Sequence, residues 1–161
     1  MNMKNILKIA LLVSILLPLA SCEKQPGAGD CDCDYIEVTA NNIAGDWMLE
    51  SWEGGQMAEG VCIYLRFVRK DMRYQMYSNV GSMYFVRRTG DFLISTDEIL
   101  GSVLSGIYDY TLGEEWNHRY SVLLTADTMV LTAVDDPEVV CTYVRTEIPA
   151  GIVDSFPPVE E

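Results

Sequence analysis

Few side chains in this sequence combine types and spacing that could do chemistry. The one histidine, His118, lies close to Glu114 and Glu115, an arrangement that could transfer protons. The five cysteines could be acylated, oxidised or bound to a metal, but no Cys/His cluster has the spacing of a zinc site. The sequence contains neither a G-x-S-x-G elbow nor a phosphate-binding glycine loop. We therefore expect a chain that is not an enzyme and uses no metal and no cofactor, with His118 in a polar lip.

Cys22 has the clearest chemical role of the five cysteines, because it follows a hydrophobic leader. This leader begins with lysines, continues with a largely apolar run over residues 9–19, and ends in two small residues. Such an order is typical of a secretory signal. Leu19-Ala20-Ser21-Cys22 resembles the lipobox of bacterial lipoproteins, in which the leader is cleaved directly before the cysteine. The resemblance implies that residues 1–21 are removed and that Cys22 becomes an acylated N-terminus.

The apolar run of the leader is shorter than the roughly 20 residues that a membrane-spanning helix needs. We therefore expect fatty acyl chains such as palmitate, rather than a helix, to attach the protein to a membrane. An ordinary secretory signal without acylation is the alternative. Glu23 stands where enteric lipoproteins retained at the inner membrane have aspartate. The resemblance thus implies a lipid-anchored protein of the outer membrane, facing the periplasm or the cell surface.

The chain is strongly acidic, with 24 acidic and 11 basic residues and a formal net charge of −13. Because the leader carries two of the lysines and no acid, its removal makes the mature charge more negative. Such a surface repels nucleic acid and anionic lipid headgroups, so we expect no nucleic-acid partner. Six of the nine basic residues after the leader lie between Arg66 and Arg88. They could face an acidic partner, or they could be scattered over outward strand faces.

The remaining cysteines divide between a tail and the body of the chain. Residues 22–40 have the composition of an acidic tether and contain Cys31 and Cys33, whereas Cys62 and Cys141 lie further on. Disulfides persist in exported proteins, so the tail cysteines could each pair with Cys62 or Cys141. Alternatively, Cys62 and Cys141 are buried free thiols. The sequence leaves both possibilities open.

The body of the chain alternates apolar and polar residues with a period of two, which predicts an all-β fold. The expected strands are 46–53, 61–69, 72–78, 83–95, 98–104, 117–125, 128–134 and 139–147. Long connections at 54–60, 79–81, 105–116 and 135–138 alternate with tight turns at 70–71, 96–97 and 126–127. This pattern predicts an eight-stranded antiparallel up-and-down barrel over residues 41–148, open at one end. Residues 149–161 are expected to form an exposed C-terminal tail without a helix.

Two motifs at the ends of the predicted barrel suggest a family. Gly45-Asp46-Trp47 resembles the G-x-W motif of lipocalins, and Arg145 stands where that family keeps an arginine over the tryptophan. The wider sequence resembles the small lipocalin-like domains of Gram-negative lipoproteins. This resemblance implies that Gly45, Trp47 and Arg145 close the base of the barrel, where a guanidinium over an indole contributes about 0.5–2 kcal/mol.

The long connection at 105–116 is the best candidate for recognition, because binding commonly resides in loops on a rigid scaffold. With a second aromatic that leads into the loop at 54–60, the candidate ligand-binding residues are Trp52, Ile107, Tyr108, Tyr110, Leu112 and Trp116. One hypothesis is a lipid-anchored cup that binds a small apolar or amphipathic ligand. In the other, the same residues fill the barrel as a plug, and the domain is a protein-interaction module that serves as an accessory subunit in the envelope.

Overall fold

A computed structural model of the chain describes residues 34–109 and 114–158, which form nine strands and two short helices. The strands are β1 (Gly45–Trp52), β2 (Gly55–Gln56), β3 (Ile63–Val68), β4 (Arg73–Ser78), β5 (Val86–Asp97), β6 (Gly101–Tyr108), β7 (Tyr120–Leu124), β8 (Thr128–Ala133) and β9 (Val140–Arg145). The helices are α1 (Ala40–Ile43) and α2 (Ala150–Val153).

Eight of these strands form a closed antiparallel barrel. Their order around the barrel is β1-β3-β4-β5-β6-β7-β8-β9, and pairing of β1 with β9 closes the ring. The prediction of an all-β, eight-stranded up-and-down barrel is therefore confirmed. The sequence analysis missed β2, a two-residue strand within the predicted 54–60 loop that pairs only with the end of β1.

Connections of unequal length give the barrel two different ends. At the end that we call the open end lie the segments 53–62, 79–85, 114–119 and 134–139, together with Asp109. The short turns 69–72, 98–100 and 125–127 lie at the other end, which we call the closed end, together with α1. Long and short connections alternate along the chain, as the sequence predicts.

The barrel interior is a single hydrophobic core rich in aromatic rings. Inward side chains alternate with outward ones along each strand, as on β3, where Ile63, Leu65 and Phe67 are buried. Phe67 packs edge-on against Phe92 of β5, with ring centres 4.9 Å apart. The other buried members of this core are Ile43, Trp47, Leu49, Tyr74, Leu104, Val122, Leu124, Met129, Leu131, Cys141 and Tyr143.

Trp47 and Arg145 close the base of the barrel as a stacked pair. They are direct partners across β1 and β9, and the Arg145 guanidinium lies 4.2 Å from the centre of the buried Trp47 ring. Trp47 Nε1 donates to the Ile43 carbonyl at 2.8 Å, while Arg145 donates to the carbonyls of Asn42, Ala44 and Ala126 at 2.6–2.8 Å. The base therefore joins α1, β1, β9 and the β7–β8 turn.

Gly45 makes this stacking possible through its backbone and its size. Its φ of +114° lies in a region that side-chain-bearing residues rarely adopt. A Cβ atom at this position would also stand 2.9 Å from Arg145 Nη1. The Gly-x-Trp spacing is thus a packing requirement of the base.

The segment after β9 differs from the exposed tail that the sequence predicts. Ile148 is buried, and Ile152 and Phe156 pack with it on the outside of the barrel against Tyr64 and Tyr77. These two tyrosines are partners across β3 and β4 and point outward, so they expose aromatic surface that the segment covers. The segment also forms α2, where no helix is expected, whereas residues 159–161 lie outside the described residues.

We predict that Trp47→Ala lowers the free energy of unfolding by about 3–5 kcal/mol, because the substitution leaves a cavity beneath Arg145. Arg145→Ala should cost less, and the double variant should cost less than the sum of the two single variants. Denaturant unfolding of the four proteins measures this coupling. Strict additivity would show that the contact between the two side chains contributes nothing to stability.

Candidate functional site

The predicted long loop at 105–116 is mostly a hairpin, and this part of the prediction is wrong. Ser105 to Tyr108 belong to β6, and Glu114 to Trp116 fold back along it. Tyr108 N–H donates to the Glu114 carbonyl at 2.9 Å, and Trp116 N–H donates to the Gly106 carbonyl at 2.8 Å. Pairing of the two arms satisfies backbone groups that a long loop would leave to water.

Trp116 points into the open end of the barrel. Its indole lies against Gly106 of β6, where a Cβ atom would approach the ring to 2.3 Å. The ring stands edge-on to Tyr74 at 5.0 Å and lies 6.3 Å from Tyr120. Gly106 therefore provides the space that the indole occupies.

Tyr108 lies beside Trp116 and also faces the interior. Its ring is edge-on to Tyr74, with centres 6.3 Å apart, and burial raises the pKa of its hydroxyl. Burial likewise raises the pKa of Tyr120 to about 12. We call Tyr74, Tyr108, Trp116 and Tyr120 the aromatic plug. Tyr108 and Trp116 are thus partly buried and both pack against the barrel core.

The other predicted binding residues do not join this cluster. Ile107 alternates with Tyr108 and is exposed on the outer wall, and Trp52 lies on the β1–β2 hairpin with its Nε1 3.1 Å from Glu53 Oε1. Tyr110 and Leu112 lie outside the described residues. The structure therefore divides the predicted set between the interior, the outer wall and a neighbouring hairpin.

An ionic network that the sequence analysis missed holds the end of β6. Arg73 on β4 donates to Asp91 at 2.8 Å and pairs through both terminal nitrogens with Asp109. Thr89 Oγ1 donates to the same Asp109 carboxylate at 2.5 Å. Hydrogen bonds from Arg73 hold the pKa of Asp109 below its usual value. Arg73 thus joins β4, β5 and the residue that follows β6.

His118 pairs with Asp135 rather than with Glu114 or Glu115. Its Nδ1 is 2.8 Å from Asp135 Oδ1, and this contact lowers the pKa of the carboxyl. The pair links the β6–β7 connection to the β8–β9 connection. Among residues 34–109 and 114–158, the structure contains no group of three His, Cys, Asp or Glu side chains that could hold a metal ion.

The two cysteines in the described part of the chain are not bonded to each other. Cys62 is half-buried and Cys141 is buried, and burial raises the pKa of Cys141 to about 11. Cys31 and Cys33 lie outside the described residues, as does Cys22. The predicted disulfides to the tail therefore stay a prediction.

A groove of about 440 Å³ lies outside the barrel, between β3–β5 and the C-terminal segment. Arg66, on one side, makes a two-pronged contact with Asp46 at 2.6 and 2.7 Å. Arg87 lies over the Phe156 ring at 5.3 Å and donates to the Pro157 carbonyl at 2.6 Å. Two of the clustered arginines, Arg66 and Arg73, are thus neutralised by carboxylates of the same chain.

The outer wall formed by β6–β9 carries no charge at its ten accessible outward positions, in a chain with 22% charged residues. These positions alternate with the buried core residues of the same strands. We call them the uncharged wall: Ser105, Ile107, Ser121, Leu123, Thr128, Val130, Thr132, Val140, Thr142 and Val144. Leu123, 55% exposed, and Ile107, 43% exposed, are its most prominent apolar side chains.

The sequence matches no protein-family model and no curated protein. Within the described residues, no helix has the length and apolar character needed to cross a bilayer.

We predict that Trp116→Ala lowers the free energy of unfolding by about 3 kcal/mol, since the indole fills space inside the barrel. Ile107→Ala, one residue from Tyr108 on the exposed face of the same strand, is the matched control and should cost about 1 kcal/mol or less. Urea unfolding followed by circular dichroism provides the comparison. Equal small costs would mean that Trp116 is a surface side chain and that the plug does not exist.

Proposed function

We propose that this chain is a lipid-anchored, non-enzymatic protein-interaction module of the bacterial cell envelope. Its barrel resembles that of the lipocalins, but its interior serves stability rather than ligand storage. The observation that carries the proposal is the aromatic plug. Gly106 and Trp116 occupy complementary space at the end of the barrel where a ligand would enter.

Because aromatic rings pack inside the barrel, we place the binding surface on its outside. Tyr74 is in edge contact with both Tyr108 and Trp116, so the plug is continuous with the core beneath it. A drug-sized ligand needs a cavity of about 300–1,000 Å³, and the bulky rings already pack across the barrel mouth. Binding by this domain then depends on surface features.

The uncharged wall is the surface that best fits a protein partner. Depletion of charged residues is the compositional signature of an interface core. Four adjacent strands keep charge off one face although the chain has a net charge of −13. Leu123 on β7 and Val130 on β8 are direct cross-strand partners and lie within this wall. We infer that an envelope protein covers it.

Cys22 and the tether would attach the module to a membrane. The lipobox-like sequence supports acylation of Cys22, and the acidic residues 22–40 would link this anchor to the barrel. The proposed location is the outer membrane, with the barrel on the periplasmic or the cell-surface side.

Ligand binding is a second candidate because of the groove outside the barrel. Its volume of about 440 Å³ lies within the range of small-molecule sites. Phe156 and Tyr77 supply aromatic surface, and Arg87 supplies hydrogen-bond donors. An amphipathic molecule with an acidic group would match this lining.

We predict that Leu123→Lys abolishes a discrete cross-linked complex formed by the chain in intact cells, because a lysine would be buried without a partner in the interface. Ile99→Lys is the matched control, since Ile99 is 93% exposed in the β5–β6 turn, away from the wall. Chemical cross-linking followed by mass spectrometry measures both. A complex that survives Leu123→Lys would remove the wall from the proposal. A bound small molecule in native mass spectra, without any protein complex, would favour the groove.

We predict that Cys22→Ser prevents incorporation of a fatty-acid probe and leaves the chain unprocessed or soluble, because acylation needs the thiol. Metabolic labelling of cells with an alkyne fatty acid measures the incorporation. Cys62→Ser, a cysteine within the barrel, is the matched control and should label normally. Undiminished labelling of Cys22→Ser would exclude the lipoprotein assignment.

A further inference from the structure

The β4–β5 connection presents apolar side chains to solvent at the open end. Met83 is 93% exposed and Tyr84 is 79% exposed, and Val80 and Val86 flank them at about half exposure. We call these four residues the apolar tip. Apolar side chains of this size that remain accessible together commonly mark an interaction site.

The backbone of the apolar tip is held in one arrangement by side chains at its base. Asn79 accepts from the Cys62 N–H at 2.7 Å and donates to the Gly60 carbonyl at 2.8 Å. Ser82 N–H donates back to the Asn79 carbonyl at 3.1 Å, and Ser82 Oγ accepts from the Tyr84 N–H at 3.0 Å. Met83 and Tyr84 are therefore exposed from an ordered turn, which reduces the entropy lost on binding.

Positive charge accompanies the apolar tip in a chain that is otherwise acidic. Residues 74–90 contain two arginines and no aspartate or glutamate, and one of the two, Arg87, donates to the Pro157 carbonyl. Arg87 and Arg88 directly follow Val86, and Arg88 is exposed. The other connections at the same end contribute acidic side chains: Glu53, Glu59, Glu114, Glu115, Asp135, Asp136 and Glu138. The tip thus combines exposed apolar side chains with one exposed cationic side chain, Arg88.

We propose that the apolar tip docks on a phosphate-bearing lipid bilayer, with Met83 and Val80 in the acyl region, Tyr84 at the headgroups and Arg88 near the phosphates. Tyrosine and arginine are suited to that boundary, where one end of a side chain is apolar and the other is wet. A protein partner would need about 800 Å² of matching surface on each side. Two almost fully exposed side chains on a projecting turn suit a deformable lipid surface better.

This inference rests on the proposed lipid anchor, and the length of chain between Cys22 and the barrel permits it. Ile36 N–H donates to the Leu124 carbonyl, so the chain enters the described region at the closed end, opposite the apolar tip. Residues 22–33 can reach about 40 Å when extended. Strands of six residues rise about 20 Å, so the tether is long enough to let the open end face the membrane.

The test uses the acylated chain reconstituted into vesicles of phosphatidylethanolamine and phosphatidylglycerol that carry brominated acyl chains. Met83→Trp adds a reporter to the tip, and Ile99→Trp adds one at an equally exposed position at the closed end. We expect Met83→Trp to lose more emission to the bromine, and to shift further to the blue, than either Ile99→Trp or the unmodified chain. Arg88→Gln added to Met83→Trp should reduce the quenching.

Each outcome separates this inference from the proposed function. Equal quenching of both reporters, or none in an acylated chain, would overturn docking by the tip and leave the anchor intact. Failure to incorporate a fatty acid would instead overturn the anchor. A photo-reactive residue at position 83 that cross-links to a protein and not to lipid would also overturn the inference, because the tip would then be a protein interface.

Discussion

Antiparallel pairing of the first and last strands is the constraint on which the rest of the structure depends. It places Trp47 opposite Arg145 and lets one guanidinium stack on the indole while it donates to three backbone carbonyls. Without this closure, β1 and β9 would both be free edges, available for aggregation. Each strand can therefore turn its apolar face inward toward one shared core.

The width of an eight-stranded barrel sets what its interior can hold. Here large rings take up that width, and two inward glycines adjust the fit. At Gly106 the missing side chain admits Trp116, and at Gly90 it lets the β6 backbone approach, since a Cβ atom there would stand 1.8 Å from the Ile107 carbonyl oxygen. In this core, an aromatic ring or a neighbouring backbone fills the space that each glycine leaves, so the interior is closely packed. The proposed recognition of a partner therefore relies on the outer wall and the loops.

Local patterns in the sequence predicted the fold well and the candidate site poorly. Alternation and turn spacing depend on neighbouring residues, so the strands and their order could be predicted, and Gly45-x-Trp47 with Arg145 indicated the closure. The direction of Trp116 depends on a glycine ten positions earlier, and the identity of the Arg73 partners depends on three strands meeting. The packing of Phe156 on Tyr77 depends on a chain reversal after β9. Such relations arise only when distant segments come together, and no spacing in the sequence encodes them.

The closure between α1, β1 and β9 also governs the order in which the domain can fold. The bond from Arg145 to the Asn42 carbonyl spans 103 positions, so the base forms only after nearly the whole chain is available. Contacts of such long range slow folding, since a large loop must close before they stabilise anything. A chain that crosses a membrane from its N-terminus would stay open until β9 emerges. If the chain is exported as proposed, only the segment after β9 would remain to be translocated when the barrel can first close.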